Sequence, residues 1–509
     1  MSALGTDLVQ TRVLGAVGRG KPPVHASMSI GGRWVGAVSG ARIDCIDPTT
    51  EELLGTVPAG GPPDAVLAVQ AAWEAQGAWR AMGWTRRAGM LRDLAAAIGE
   101  HAEELALLDV LDSGNPIAGM RADIQSAMAE INYFAGLAGQ THGVSTPTDA
   151  ARVSFTQREP YGVVLRIVPF NHPFKFASGK SAAALAAGNA VIVKPGEETS
   201  MSAIALAEIA ESVLPPGVFS VVTGTGVEVG DALVSHPDVP RVAFTGSVPT
   251  GRAILRSGAE TFTHITLELG GKNPLVVCPD VDPRQAAVDA VSTMNIARSN
   301  GQSCGSTSRM YVHERIAPAF TSALVDRLGE LSVGDPVDEA NDAGPLAFSA
   351  HHQRVLGHIS RAIDEGATLT LGGSRPEGLD RGFFVQPTLF TDVTDEMAIA
   401  RDEVFGPVQA LLTWSDLDDV VARANNSPMG LTANVFTRDL QVAHDLANRL
   451  EAGYVYVNGT GRRPPGSPFG GWKHSGMGKE NSFEELASYT REKTITITLP
   501  PRAPDWAGS

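Results

Sequence analysis

Two residues have types and surroundings that fit chemistry: the carboxylate Glu268, in LELGGKNP, and the thiol Cys304, in NGQSCGS. A carboxylate can take a proton from a thiol or from water, and an accessible cysteine becomes a nucleophile once it loses its proton. The neighbours Gln302, Ser303, Gly305 and Ser306 are polar or small, unlike the apolar runs that hold structural cysteines. Between the two lies a helical stretch. Asp282 is a candidate N-cap, Pro283 suits the first turn, and Ala287, Ala290, Val291 and Met294 recur at helical spacing until the pattern breaks at Asn300 and Gly301. Cys304 is therefore expected on a loop beyond a helix. Taken alone, such a cysteine is as often a bystander as a nucleophile.

The elements that must position these groups follow from periodicity. Strand-like runs at 163–168, 190–194, 218–222, 241–245 and 265–269 alternate with helical runs, which predicts a doubly wound α/β sheet with its ligand at the strands' carboxyl ends. The pattern resumes at 275–278, 309–313, 383–385, 408–412 and 433–436, a second α/β domain carrying Cys304. Upstream, residues 28–57 read as short antiparallel strands. A helical block follows, with Asp64 as N-cap of the first helix and a later helix over 119–138. The segments 150–160 and 490–500 alternate as β-strands outside both domains, an arm suited to pairing with another subunit.

At 509 residues the chain exceeds one ordinary core, and 43% hydrophobic residues with 55 glycines is a globular composition. A net charge of −16 argues against nucleic acid or an anionic membrane as partner. Three cysteines, Cys45, Cys278 and Cys304, make no disulfide framework, and neither they nor His351 and His352 have the spacing of a metal site. Without a secretory pattern or a membrane-length apolar run, the expectation is a cytoplasmic protein whose first two dozen residues are loosely held.

Further motifs stand at the strand ends. In PFNHPF, Asn171 can offer its amide to a developing oxyanion. In KPGEETS, Lys194 and Glu197 follow a strand, where an acid accepts hydrogen bonds from ribose hydroxyls and repels a 2′-phosphate. In FTGSVPTG, Gly246 permits a turn, Ser247 begins a helix whose N–H groups can face a pyrophosphate, and Gly251 lets helix and strand approach. Lys180, a turn or two into a helix, reads as solvated.

Together with DEVFGP, NNSPMGLTANVFTRD, GYVYVNG and PFGGWKHSGMGKE, these stretches resemble the aldehyde dehydrogenase superfamily, in the family's order, from about residue 28 to 498. The resemblance implies an NAD-dependent, hydrolytic enzyme: an NAD-binding domain of Rossmann-like α/β fold at 28–138 and 160–270, a catalytic domain at 271–475, and an oligomerisation arm at 139–159 and 485–505, after an extension at 1–27. It implies that Cys304 attacks the aldehyde, that Asn171 and the Cys304 N–H hold the oxyanion, and that Glu268 activates the water that hydrolyses a thioester. Lys180 and Glu480 would relay the proton. Lys194 and Glu197 would hold the adenosine ribose, Gly246, Ser247 and Gly251 the phosphates, and Glu403 and Phe405 the nicotinamide end. Phe170, His172, Ser303, Arg463 and Phe469 would line the substrate tunnel, with Arg462 beside them; these arginines suit either a substrate carboxylate or a solvated rim. A homodimer or homotetramer acting on a small aldehyde is expected, with NAD preferred over NADP. The alternatives are an enzyme that passes the acyl group to CoA, a type that generally lacks the base, and an NADP-preferring enzyme.

Overall fold

Apolar, β-branched runs build the first sheet. In the computed structural model, which describes residues 12–149, 151–459, 461 and 463–499, its strands are β1 (Met28–Ile30), β2 (Arg33–Val35), β3 (Val163–Ile167), β4 (Ala190–Lys194), β5 (Phe219–Val221), β6 (Arg241–Thr245) and β7 (His264–Glu268). They lie in the order β7–β6–β3–β4–β5–β1–β2, with Gly476–Met477 pairing antiparallel at the β7 edge. The five strands from β7 to β5 are parallel. Alternate residues face opposite sides: Val163, Leu165 and Ile192 pack on Ala65, Ala68 and Val69, while Val164, Val191 and Val193 share a core with Phe174 and Ile204. Each such side chain contributes about 1.5–3 kcal/mol on burial.

Chain order reverses between β3 and β6, the switch point at whose strand ends a doubly wound sheet takes its ligand. The second sheet contains β8 (Pro274–Val277), β9 (Arg309–His313), β10 (Thr368–Leu371), β11 (Thr388–Thr391), β12 (Val408–Trp414), β13 (Thr432–Phe436) and β14 (Tyr454–Val457), in the order β10–β11–β12–β9–β8–β13–β14. Only β10 runs antiparallel to its neighbour. A third sheet joins Thr490–Thr498, Arg152–Pro160 and Ser145–Thr146. Among the described residues no helix is long and apolar enough to cross a membrane.

Four local expectations are corrected. Helix α1 (Pro62–Ala81) starts at the prolines, so Asp64 is at its third position rather than the N-cap and reaches back to accept the Gly61 N–H at 2.9 Å. The strand expected at 383–385 forms instead at β11. Phe384 and Val385 are buried in a connection, where Phe383 N–H bonds Pro48 O and Phe383 O accepts from Leu346, so the run is apolar without being laddered. The helix before Cys304 is broken: α5 (Pro283–Thr293) ends early, Asn295 adopts φ +57°, and a short turn, α6 (Ile296–Ser299), follows. The extension is held down from residue 12 onward, since Val13 and Val24 are buried and Glu208 accepts the Val13 N–H at 2.8 Å.

Two further helices matter below, α2 (Ile117–Leu137), and α3 (Pro173–Ser178), which directly follows Asn171 and His172.

Candidate active site

The loops after β3 and α6 are tied together by amides. Asn171 Nδ2 donates to Gln302 O at 2.8 Å, and Asn115 Nδ2 donates to Asn171 O at 2.9 Å. Asn300, at φ +54°, donates to both Gly114 O and Pro345 O. From the β8 side, Asn273 Nδ2 donates to Cys304 O at 2.7 Å and Ser306 O at 2.9 Å. Cys304 is half-buried on this braced turn, as expected of an accessible nucleophile, whereas Cys45 and Cys278 are buried. Ser303 and Gly305 flank it, joined by a 3.3 Å bond from Gly305 N to Ser303 Oγ.

The glycine pair after Glu268 is explained by close approach. A Cβ on Gly270 would lie 1.9 Å from Glu403 Oε2, and one on Gly271 would lie 3.0 Å from Cys304 O. Gly271 N–H donates to Glu403 Oε1 at 3.0 Å, so this turn joins the carboxylate to the cysteine loop. Gly270→Ala must displace Glu403 and is expected to raise the KM for NAD by about tenfold or more, with a thermal unfolding scan reporting any loss of fold.

Electrostatics link the central groups. Glu268 is 3% exposed and its Oε1 has no hydrogen-bond partner. Burial, then the neighbouring charge of Glu480, pushes its carboxyl up to about 8. Burial, then Glu268, pushes the Cys304 thiol up to about 11, while Arg463 and Lys180 favour the thiolate. Glu480 is the reverse case: against the cost of burial, Arg166 and Lys180 hold it down to about 2. Its oxygens accept from Arg166 Nη2 at 2.6 Å and Lys180 Nζ at 2.5 Å. Lys180 is thus engaged rather than solvated, and its ammonium also lies 4.3 Å over the Phe176 ring.

Among the residues expected to meet the cofactor, Lys194 is buried at the end of β4 with its ammonium 3.9 Å from Glu197, whose carboxylate accepts the Gly226 N–H at 2.6 Å. Ser247 caps helix α4 (Val248–Ala259) by accepting the Thr250 N–H at 3.3 Å. Gly251 in that helix is buried, and a Cβ there would lie 2.9 Å from Leu269. Phe405, at φ +59°, is held by its carbonyl, which accepts from His351 Nε2 at 2.7 Å. Phe170 packs against Phe348 and Phe405 at 5.1 and 5.7 Å between ring centroids.

His172 is buried with Nδ1 on Asp123. Phe469 is buried beneath Arg463, whose guanidinium lies 3.6 Å from the ring centroid. Arg462 lies outside the described residues. No metal-binding group of acids, histidines and cysteines occurs among the described residues. Sequence reasoning missed Arg166, Asn115, Asp123 and Asn273. Only Asn273 carried a signal, standing in the same GGKNP turn as the glycine pair.

The model of the aldehyde dehydrogenase family matches residues 34–495. The chain is 42% identical to a hydroxyisobutyraldehyde dehydrogenase of Mycolicibacterium austroafricanum, covering 98% of this chain and 99% of that one. It is 41% identical to a betaine aldehyde dehydrogenase of Brucella canis, covering 94% and 98%. Among solved structures, betaine aldehyde dehydrogenase from Staphylococcus aureus in complex with NAD+ superposes with a TM-score of 0.92 at 34% identity, over 98% of each chain. The NAD+ complex of an aldehyde dehydrogenase from Bacillus cereus gives 0.90 at 38% identity, over 93% of this chain and 96% of that one. Family model, relatives and fold agree, and this chain belongs to the aldehyde dehydrogenase family.

Proposed function

We propose that this chain oxidises an aldehyde to the carboxylic acid with NAD as electron acceptor, through a covalent adduct on Cys304 that water, activated by Glu268, resolves. The carrying observation is a braced, half-buried thiol electrostatically coupled to a buried carboxyl with one oxygen unpartnered. A carboxyl raised to about 8 is poised to gain and lose a proton near neutral pH.

The residues present fit the dinucleotide. The buried Lys194 ammonium lies 3.9 Å from Glu197, beyond hydrogen-bond length, and keeps donors for ribose hydroxyls. The helix begun by Ser247 has no acid in its first turn, so its N-terminal field favours phosphate. Glu403 accepts the Gly271 N–H with one oxygen and keeps the other for the nicotinamide ribose. Bound there, NAD supplies the acceptor for the hydride that leaves the carbonyl carbon.

The chain's own residues do the rest. The Cys304 proton passes to a base, and sulfur bonds to the carbonyl carbon. One Asn171 N–H is engaged with Gln302 O, which fixes the amide plane and leaves its second N–H, with the Cys304 N–H, for the oxyanion. After oxidation a thioester remains, and Glu268 takes a proton from water as it attacks. The sulfur then leaves as the carboxylic acid forms. Lys180 and Glu480, hydrogen-bonded to each other beside Glu268, carry that proton away. Retention of Glu268 favours water over CoA as acyl acceptor.

Glu197 favours NAD over NADP by charge. Glu197→Ser is expected to shift the NADP/NAD ratio of kcat/KM toward NADP by about tenfold or more, measured by steady-state kinetics with both cofactors. An unchanged ratio would remove the assignment. The same reading assigns an NAD-binding domain to 28–138 with 160–270 and a catalytic domain to 271–475, and the separation into two large sheets supports it. The arm's sheet, with Val153 and Ile497 paired on neighbouring strands and both exposed, supports a homodimer or homotetramer. A cytoplasmic location belongs to the same reading. NADH formation over a panel of aldehydes tests the activity directly.

A further inference from the structure

Basic side chains crowd one wall of the site. Asp123, buried on α2, is shared: His172 Nδ1 lies on one oxygen and Arg298 Nη2 donates to the other at 2.5 Å. Among the described residues Lys175, in the first turn of α3, has the Glu130 carboxylate as its one ion-pair partner, 3.6 Å away and beyond hydrogen-bond length. Arg463 has no carboxylate partner among the described residues and rests on the Phe469 ring. With His172 neutral, Arg298, Lys175 and Arg463 exceed Asp123 and Glu130 by one positive charge, since 3 − 2 = 1. The excess lies beside the nucleophile. His172 follows Asn171 directly, Arg298 lies in the turn before the cysteine loop, and the Arg463 charge is felt by Lys175, Glu268 and Cys304 alike.

We infer that the aldehyde carries a carboxylate at its far end, held at the mouth of the site by Arg463 and Lys175, while Asp123 keeps Arg298 and His172 fixed in the wall. The inference rests on the proposed dehydrogenase reading and names the substrate class for it. Chemistry favours this occupant. A neutral tail would leave Lys175 with an unspent ammonium and Arg463 with an unspent fork, and a cationic tail would be repelled. A carboxylate satisfies both and makes the charges balance. The planar fork over Phe469 also sets the tail's distance from sulfur, so chain length is selected along with charge.

The test compares kcat/KM for 4-oxobutanoate and 5-oxopentanoate with those for butanal and pentanal, each with NAD. The expected result is a preference of about tenfold or more for at least one carboxylate over its neutral counterpart, shrinking as salt is raised. Arg463 is exposed, so Arg463→Gln perturbs folding little and is expected to reduce that preference by about tenfold, whereas Arg463→Lys retains part of it. Lys175→Gln, checked by a melting curve, should lower it as well. Neutral aldehydes oxidised as well as the carboxylates, or a preference unmoved by Arg463→Gln, would overturn the inference and leave the dehydrogenase reading standing. No NADH from any of these aldehydes would overturn both.

Discussion

Cys304→Ala is expected to lower NADH formation from any aldehyde by about 10⁴-fold or more, because the proposed covalent adduct forms on its sulfur. The remaining cysteines are buried, one on a strand and one just after a strand end, and neither can substitute. The loop should survive the change. Its position is set by backbone and amide bonds, Asn273 to Cys304 O and Asn171 to Gln302 O, and none involves sulfur. The melting temperature and NAD binding are therefore expected to stay close to wild type. Equal rates in mutant and parent, measured as NADH absorbance, would refute the mechanism.

Glu268→Gln is expected to reduce kcat by about 10²–10⁴-fold, the usual range for losing a general base. Its pH signature separates a base from a structural carboxyl. The wild-type carboxyl is raised to about 8 by burial and by Glu480, so the deprotonated, active form grows as pH rises through about 8, and kcat should rise with it. Gln cannot titrate, and that limb should vanish in the variant. The substitution is nearly isosteric and replaces a buried carboxyl that is mostly neutral at pH 7 with a neutral amide, so folding should not suffer. A variant keeping both rate and limb would remove Glu268 from the mechanism.

Much of the scaffold could be read from periodicity because its strands are short, apolar and buried on both faces. VVLRI, AVIVK and RVAFT leave little choice but a parallel sheet. The candidate groups at those strand ends were legible for the same reason, since a doubly wound sheet exposes its carboxyl ends at the switch point. Asp64 and the 383–385 run were misjudged at the level of local chemistry. Two prolines open the helix, so the aspartate falls at its third position instead of the N-cap, and an apolar run can be buried by loops without a strand partner. The break at Asn295 was invisible because apolar spacing continues through Met294 and only the backbone turns left-handed.

What stayed hidden depends on pairs far apart in sequence. Arg166 faces outward or inward equally well in a strand pattern until Glu480, 314 residues on, is folded against it. Asp123 and Arg298 are separated by 175 residues, and neither segment has a motif. Lys180 reads as a surface lysine by composition, but a buried Glu480 and the Phe176 ring draw it in. Buried charges of this kind are set by tertiary partners rather than by local propensity.

The most direct test is a single-turnover experiment on Glu268→Gln, mixing it with NAD and excess aldehyde while following NADH and then the intact mass of the protein. The account predicts a rapid burst of one NADH per active subunit, then near-arrest, with the acyl mass added at Cys304 and released by hydroxylamine. Steady turnover at the wild-type rate, or a burst that leaves Cys304 unmodified, would contradict it.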